Sequence, residues 1–187
     1  MATKLEKTSI ARKHYIQKCV FSVNFTYLCT MKTVLIVVGK TTDKHFIALI
    51  DEYCNRIRHY MPFDLEVIPE LKNVKNVSID QQKEQEALLI QKQLLPGDHI
   101  VLLDEHGSER RSIQFAQWMQ KKMASGPRRL VFIVGGPYGF APQIHKMAQE
   151  EISLSQMTFS HQMIRLLFVE QIYRAMTILN NEPYHHE

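Results

Sequence analysis

The chain has 187 residues, of which 45% are hydrophobic and 22% are charged, enough for one buried core without disulfides or metal ions. The formal net charge of +4 lies within residues 1–30, which hold five Lys or Arg and one Glu, so the remainder is neutral. A neutral body argues against sequence-blind binding of a long duplex and favours a local site on a structured RNA.

Residues 1–30 show no clean periodicity, because polar residues interrupt the apolar letters between Val20 and Leu28. The interruption, and the lack of a small-x-small cleavage site after it, argue against a signal peptide. A strong strand pattern begins after Met31. We interpret residues 1–30 as a poorly ordered basic leader, consistent with an upstream in-frame start, and residues 31–187 as a single domain.

The cysteines Cys19, Cys29 and Cys54 form no Cys-x-x-Cys pair and have no histidines at zinc-binding spacing. The sequence therefore predicts neither a disulfide framework nor a metal site, and a reducing cytoplasm is the expected location. No apolar run approaches the roughly 20 residues that a membrane-spanning helix needs. We expect a cytoplasmic protein with no membrane or metal partner.

From Met31 onward, short β-rich runs alternate with longer helical periods, which predicts an α/β domain with a mostly parallel sheet. Strands are predicted at 33–38, 63–68, 99–104, 130–134 and 152–155. Helices are predicted at about 46–57, 79–94, 112–124, 142–150 and 161–179. The stretch from Glu70 to Ser78 has few large apolar residues, and we predict a mobile loop there.

The last predicted helix, residues 161–179, is apolar at 12 of its 19 positions, and these cover nearly its whole circumference. Such a helix must be buried on more than one side. One side faces the sheet of its own domain, and we expect a second subunit to cover the other. The sequence therefore predicts a homodimer, with two-fold symmetry as the common case.

The run from Val37 to Thr41 contains the Gly-Lys-Thr that ends a phosphate-binding P-loop. Such a loop also needs a glycine five positions before Gly39, so that backbone amides can surround the phosphates. That position is Val34, inside the first strand. A nucleoside triphosphatase is therefore not predicted.

Two loops at strand ends are candidate ligand-binding segments. The first runs from Gly135 to Phe140, where glycines permit positive φ angles and close approach of a ligand to the backbone. The second runs from Leu154 to Phe159 and offers backbone polar groups beside apolar side chains, which suit a flat heteroaromatic ligand. Each also has an ordinary structural explanation, as a turn before Pro142 or as a cap of the last helix.

Candidate RNA-binding side chains occur at both ends of the last helix. His161 and Arg165 are four residues apart and share one face, either as an exposed surface pair or with Arg165 on phosphate and His161 on the target base. Arg174 is also a candidate, with Glu170 four residues before it as an alternative partner within the helix. In the tail, Tyr184 and His185 can stack on an unpaired base and supply a titratable nitrogen, although histidine-rich ends are often tags or disordered.

Four motifs occur in order along the domain. They are Leu102-Leu103-Asp104-Glu105-x-Gly107, Gly135 to Phe140, Leu154 to Met163, and Arg174-Ala followed by Pro183-Tyr184-His185. Together they resemble the RlmH (YbeA) family of the SPOUT superfamily, over Met31 to Glu187. The resemblance implies a homodimer whose mostly parallel sheet, flanked by helices, ends in a C-terminal trefoil knot, an exception to the unknotted rule.

Members of that family transfer a methyl group from S-adenosylmethionine to N3 of a pseudouridine in 23S ribosomal RNA, on the assembled ribosome. The resemblance implies the same activity here, with the partner subunit helping to complete the site. Matched by motif, the implied cofactor-binding residues are Leu103, Gly135, Leu154, Ser155, Gln156, Met157, Thr158 and Phe159. The candidate RNA-binding residues are Arg165, Arg174, Tyr184 and His185, and the candidate catalytic residues are His161, Arg165 and His185.

Two positions depart from the family pattern: His106 stands where an arginine is common, and His186 stands where a basic residue is frequent. Both changes weaken the case for phosphate contacts there.

The imide nitrogen of the target must lose a proton, so a base or bridging water is needed, and His161 and His185 are equal candidates. The competing prediction is a non-catalytic ribosome-binding or assembly dimer, which cofactor binding and methyl transfer would distinguish.

Overall fold

The computed structural model describes residues 31–71 and 77–185, in which strands and helices alternate. Strands β1 to β5 are Lys32–Val38, Phe63–Ile68, His99–Glu109, Arg129–Val134 and Glu150–Ser153. Helices α1 to α5 are Lys44–Arg58, Ile79–Gln91, Ser112–Ser125, Pro142–Met147 and His161–Leu179. The predicted leader, His186 and the middle of the predicted mobile loop lie outside the described residues.

The five strands form one sheet in the order β2-β1-β4-β3-β5, and every neighbouring pair is parallel. β1 and β4 are central and buried on both faces, which explains their continuous apolar sequences. Helices α1, α3 and α5 pack on one face of the sheet, and α2 and α4 pack on the other. The predicted α/β class is confirmed, while the trefoil knot stays a prediction.

The predicted boundaries around β3, α4 and β5 were wrong. β3 extends to Glu109 instead of ending at 104, α4 ends at Met147 instead of about 150, and β5 spans Glu150–Ser153 instead of 152–155. The reason is a shift in register, because Ile152 of β5 pairs with both Leu103 and Ser108 of β3. Residues 104–107 therefore bulge out of the strand, a feature that depends on the neighbouring strand.

Parallel strands place the loops that follow them at one edge of the sheet, and here those loops lead into capped helices. Asp43 caps α1 by accepting hydrogen bonds from the backbone N–H groups of His45 and Phe46. Ser160 caps α5 by accepting one from Met163. Across the described ranges, no helix combines the length and apolar character needed to span a bilayer.

Candidate functional site

A cavity of about 550 Å³ opens at the carboxyl edge of the sheet, between the segments that follow β3, β4 and β5. Seven of the eight predicted cofactor-binding residues line it: Leu103, Gly135, Leu154, Ser155, Met157, Thr158 and Phe159. Gln156 is not among the lining residues. The volume lies within the range of about 300–1,000 Å³ that is usual for small-molecule sites. The fold thus brings two loops that are distant in sequence to one space.

The glycines of the loop between β4 and α4 are required for different physical reasons. Gly139 has a φ of +76°, a backbone conformation that favours glycine. A Cβ atom on Gly135 would lie 3.2 Å from the ring of Phe140, and one on Gly136 would lie 2.5 Å from Oε2 of Glu86. The positive φ expected in this loop therefore falls at Gly139, whereas close packing accounts for Gly135 and Gly136.

Glu86 on α2 lies buried against the glycine loop and is 6% exposed. Its carboxylate accepts a hydrogen bond of 3.1 Å from Nε2 of Gln82. Burial raises the pKa of Glu86, the hydrogen bond from Gln82 opposes this, and the negative charge of Glu70 raises the pKa further. The loop is thus backed by a carboxyl group that gives up its proton less readily than a surface glutamate.

The bulge of β3, residues 104–107, forms another wall of the cavity. Asp104 accepts a hydrogen bond of 2.9 Å from the backbone N–H of His106, whose side chain is 82% exposed. Oε2 of Glu105 accepts one of 3.2 Å from the hydroxyl of Thr158, which connects the bulge to the loop after β5. A Cβ atom on Gly107 would lie 2.6 Å from the backbone nitrogen of Ile152, so only glycine permits this approach to β5.

Charged or titratable residues that were not predicted as site residues also line the cavity, among them Lys83, His145 and Glu151. Nδ1 of His145 lies 2.6 Å from Oε1 of Glu151. The His145 ring packs edge-on against Phe140, with ring centroids 5.8 Å apart. No local pattern marked these residues. The fold brings Lys83 of α2 to the cavity of the glycine loop, whereas His145 lies on α4, which directly follows that loop in the sequence.

His161 lines the cavity, whereas Arg165 is absent from its lining. The Arg165 side chain is 1% exposed, so the expectation that both residues belong to one exposed surface is wrong. Its Nη1 donates to the carbonyl of Gly39 at 2.9 Å and to the hydroxyl of Thr41 at 3.0 Å, and its Nη2 donates to the carbonyl of Val38 at 2.5 Å. The end of β1 covers this side of α5, which helical spacing alone did not indicate.

The family model of the predicted SPOUT methyltransferases matches residues 31–185. The chain belongs to this family. It is 66% identical over 157 residues to the ribosomal RNA large subunit methyltransferase H of Phocaeicola vulgatus, and 64% and 55% identical to proteins of the same name from Parabacteroides distasonis and Flavobacterium johnsoniae. Each comparison covers 84% of this chain and 100% of the relative. The resemblance to the RlmH family is confirmed.

The other candidate RNA-binding residues of this SPOUT methyltransferase contact one another near the C-terminal end of α5, against which the tail folds back. Nη2 of Arg174 lies 2.6 Å from a carboxylate oxygen of Glu170, which also accepts a hydrogen bond of 3.0 Å from the hydroxyl of Tyr184. The guanidinium of Arg174 lies 4.8 Å from the centre of the Tyr184 ring, and its Nη1 lies 3.5 Å from Nδ1 of His185. Tyr184 is thus packed within its own chain instead of standing free to stack on a base.

Helix α5 separates the two candidate bases. His161 is its first residue, whereas Nδ1 of His185 lies 3.5 Å from Arg174, which is 13 residues and therefore roughly 20 Å further along the helix. Two histidines at opposite ends of such a helix do not reach one target atom within a single chain. A site that uses both would have to combine two copies of the chain.

Cys54 is buried on α1 in the core of this SPOUT domain. Burial raises the pKa of its thiol to about 11, so the thiol stays neutral and unreactive at neutral pH. Cys19 and Cys29 lie outside the described residues. Within residues 31–71 and 77–185, no group of three His, Cys, Asp or Glu side chains is arranged to hold a metal ion.

Proposed function

We propose that this chain transfers a methyl group from S-adenosylmethionine to N3 of a pseudouridine in 23S ribosomal RNA on the assembled ribosome. The observation that carries the proposal is the convergence of seven family-matched residues on one cavity, in a chain that belongs to a methyltransferase family. The curated relatives are named as methyltransferases of large-subunit ribosomal RNA. A protein that modifies ribosomes would work in the cytoplasm.

The chemistry of the cavity wall fits the proposed methyl donor. Leu103, Leu154 and Met157 offer apolar surface to an adenine ring, while the bare backbone at Gly135 permits close approach. Lys83 and Glu151, which also line the cavity, carry the opposite charges that suit the carboxylate and the ammonium group of an amino acid. When bound, S-adenosylmethionine supplies an electrophilic methyl group on a sulfonium sulfur.

The residues of the chain have two tasks beyond binding that donor. They must hold the target nitrogen in line with the transferred methyl group, and orientation of this kind supplies effective molarities of up to about 10⁵–10⁸ M. They must also accept the imide proton, directly or through water. His161 lines the cavity and can do so from the same chain. His185 can do so only from the tail of a second copy.

A homodimer with a composite site is therefore part of the proposal. In the single chain, every residue of α5 is buried or half-buried, yet Met163 and Leu167 lie outside the core clusters and keep apolar surface. Burial of this surface against a second copy would remove it from water. The proposal requires a two-fold axis that brings the tail of each chain, with His185, to the cavity of the other. Contact of Arg174 and Tyr184 with the RNA would then replace their contacts with Glu170.

Binding of the donor to the wild type and to Gly135→Val tests the cofactor site. The branched side chain would collide with Phe140 and enter the space of the ligand, so we expect affinity for S-adenosylmethionine in calorimetry to fall at least about 10-fold. Gly135→Ala, whose Cβ would lie 3.2 Å from Phe140 and needs only a small shift of that ring, should show a smaller loss. Equal affinities of all three proteins would overturn the placement of the donor.

Methyl transfer tests the activity itself. Ribosomes from a strain that lacks this protein are incubated with the wild type and S-adenosylmethionine labelled in the methyl group, and the labelled nucleotide is mapped. We expect label at one pseudouridine of 23S ribosomal RNA. A wild type that binds these ribosomes but neither binds the donor nor transfers label would establish the non-catalytic ribosome-binding dimer instead.

A further inference from the structure

A second groove, of about 400 Å³, lies beside the cavity. Its lining residues are Thr42, Asp43, Phe46, Ser160, His161 and Gln162. His161 lines both spaces, so they adjoin at this side chain. A polymeric ligand with one monomer at the cavity therefore has room for the neighbouring monomer in the groove.

The loop that forms one wall of the groove is already fixed to α5. Oε1 of Gln162 accepts a hydrogen bond of 3.0 Å from the backbone N–H of Thr42, and Nε2 of Gln162 donates one of 3.0 Å to the Thr42 hydroxyl. Arg165 binds the carbonyls just before this segment, at Val38 and Gly39. Gly39 has a φ of +83°, which makes this sharp exit from β1 possible. A wall held in this way loses little conformational entropy when a ligand binds.

The same loop carries positive charge that the described part of the chain does not neutralise. Lys40 and Lys44 are exposed, and neither forms an ion pair within residues 31–71 and 77–185. Asp43 is the acidic residue among the groove's lining residues, and its Oδ1 accepts hydrogen bonds from the first turn of α1. The side chain of Glu70 lies close to Gly39, the residue before Lys40. Lys40 and Lys44 thus flank the lining residues Thr42 and Asp43 in sequence, exposed and without an ion pair, while the carboxylate of Asp43 is engaged as a helix cap.

We propose that this groove binds the single-stranded RNA segment next to the target nucleotide, with Lys40 and Lys44 on its phosphates and Phe46 beside a base. The inference rests on the proposed function and deepens it. A half-buried aromatic ring, amide and hydroxyl groups, and unpaired cations are the groups that single-stranded RNA sites use. Arg165 is then a positioning residue, which acts on the RNA through the loop that it holds.

The double variant Lys40→Ala/Lys44→Ala tests the groove, because both side chains are exposed and their loss leaves the core intact. The substrate is the ribosome from a strain that lacks this protein. Its methylation by each variant is measured at salt concentrations between 50 and 200 mM. We expect KM for ribosomes to rise several-fold, kcat to change little, and affinity for S-adenosylmethionine in calorimetry to stay unchanged. The slope of log(kcat/KM) against log salt should become shallower by about one to two, because two phosphate contacts are lost.

A matched control removes the same charge from the opposite edge of the sheet. Lys92 at the end of α2 and Arg128 before β4 are exposed, and Lys92→Ala/Arg128→Ala should retain the wild-type KM and salt slope. If both double variants behave alike, the groove proposal is overturned, while methyl transfer by the wild type still supports the proposed function. If Lys40→Ala/Lys44→Ala instead turns a dimeric wild type into a monomer, the groove belongs to a protein interface, and the RNA proposal is also overturned.

Discussion

The two ends of α5 carry the same residue types in opposite electrostatic surroundings. Near its start, Arg165 is buried, and its three hydrogen bonds end on neutral oxygens of the β1–α1 segment. Near its end, Arg174 is half-buried and paired with the carboxylate of Glu170. The first guanidinium organises backbone, whereas the charge of the second is largely compensated within its own chain. The surroundings of an arginine, more than its spacing in a helix, decide what it can bind.

Replacing each arginine by methionine gives the largest effect and tests this contrast directly. Arg165→Met leaves the carbonyls of Val38 and Gly39 without their donor in a buried place, so we expect the free energy of unfolding to fall by about 2–5 kcal/mol. Arg174→Met removes a partly exposed ion pair and should cost about 1 kcal/mol or less. Urea unfolding of both variants measures the difference. Similar losses would show that the two ends are equivalent.

Mixing two inactive chains would show whether the ends of α5 from different copies form one site. Gly135→Val disables the cavity and His185→Ala disables the tail, and we expect each pure variant to fall below about 1% of wild-type activity. Co-expressed with different tags, they should recover about a quarter of that activity. Half of the dimers are mixed, and each mixed dimer has one intact composite site.

The mixing result has two informative failures. If the mixture is as inactive as the two pure variants, the cavity and the tail do not combine across two chains. If His185→Ala alone keeps wild-type activity, the tail histidine takes no part, and His161 remains as the candidate base. Purification on one tag followed by detection of the other tag verifies that mixed dimers are present.

Alkaline pH should lower the free energy of unfolding through Tyr184 at the C-terminal end of α5, by less than the Arg165 substitution does. Burial raises the pKa of Tyr184, and its contacts with Tyr53 and Glu170 raise it further. The unfolded chain therefore loses this proton first, so the stabilisation is complete below the ordinary tyrosine value of about 10 and is lost as pH rises above it. Tyr184→Phe should show a smaller loss of stability between pH 10 and 11 than the wild type.

Urea midpoints at pH 8, 10 and 11 measure this effect. The pKa of Tyr60 is also raised by burial and by its hydrogen bond to Glu182, so Tyr60 contributes with the same sign. The urea midpoint of Tyr60→Phe/Tyr184→Phe should therefore change even less with pH than that of Tyr184→Phe. Parallel curves for the wild type and the double variant would show that these phenols titrate normally in the folded protein.

Much of the fold was accessible from local patterns. The bounds of α5 were predicted as residues 161–179, because Ser160 supplies a cap and the apolar period continues to Leu179. The five strands were each located, most directly the continuously apolar β1 and β4, although the predicted bounds of β3 and β5 were wrong. For the site, the glycine loop and the loop from Leu154 to Phe159 were selected from their composition and from the family motifs. Both line the same cavity.

What local patterns missed depends on neighbours that are distant in sequence. The charged wall of Lys83, His145 and Glu151 joins two helices and a strand, and the bulge at 104–107 exists because β3 pairs with β5 in two registers. Arg165 appeared to be a surface residue because its partners, at the end of β1, are more than 120 residues away.

By itself, the sequence determined the α/β class, the order of strands and helices, the two loops of the cavity and the family of the chain. These follow from periodicity, capping residues and short motifs, which act over a few residues. The tertiary structure alone decided which side chains are buried, which charges are compensated and which loops meet. The physical reason is that parallel strands reach their neighbours only through long crossovers, so contacts at the carboxyl edge join residues that no local pattern connects.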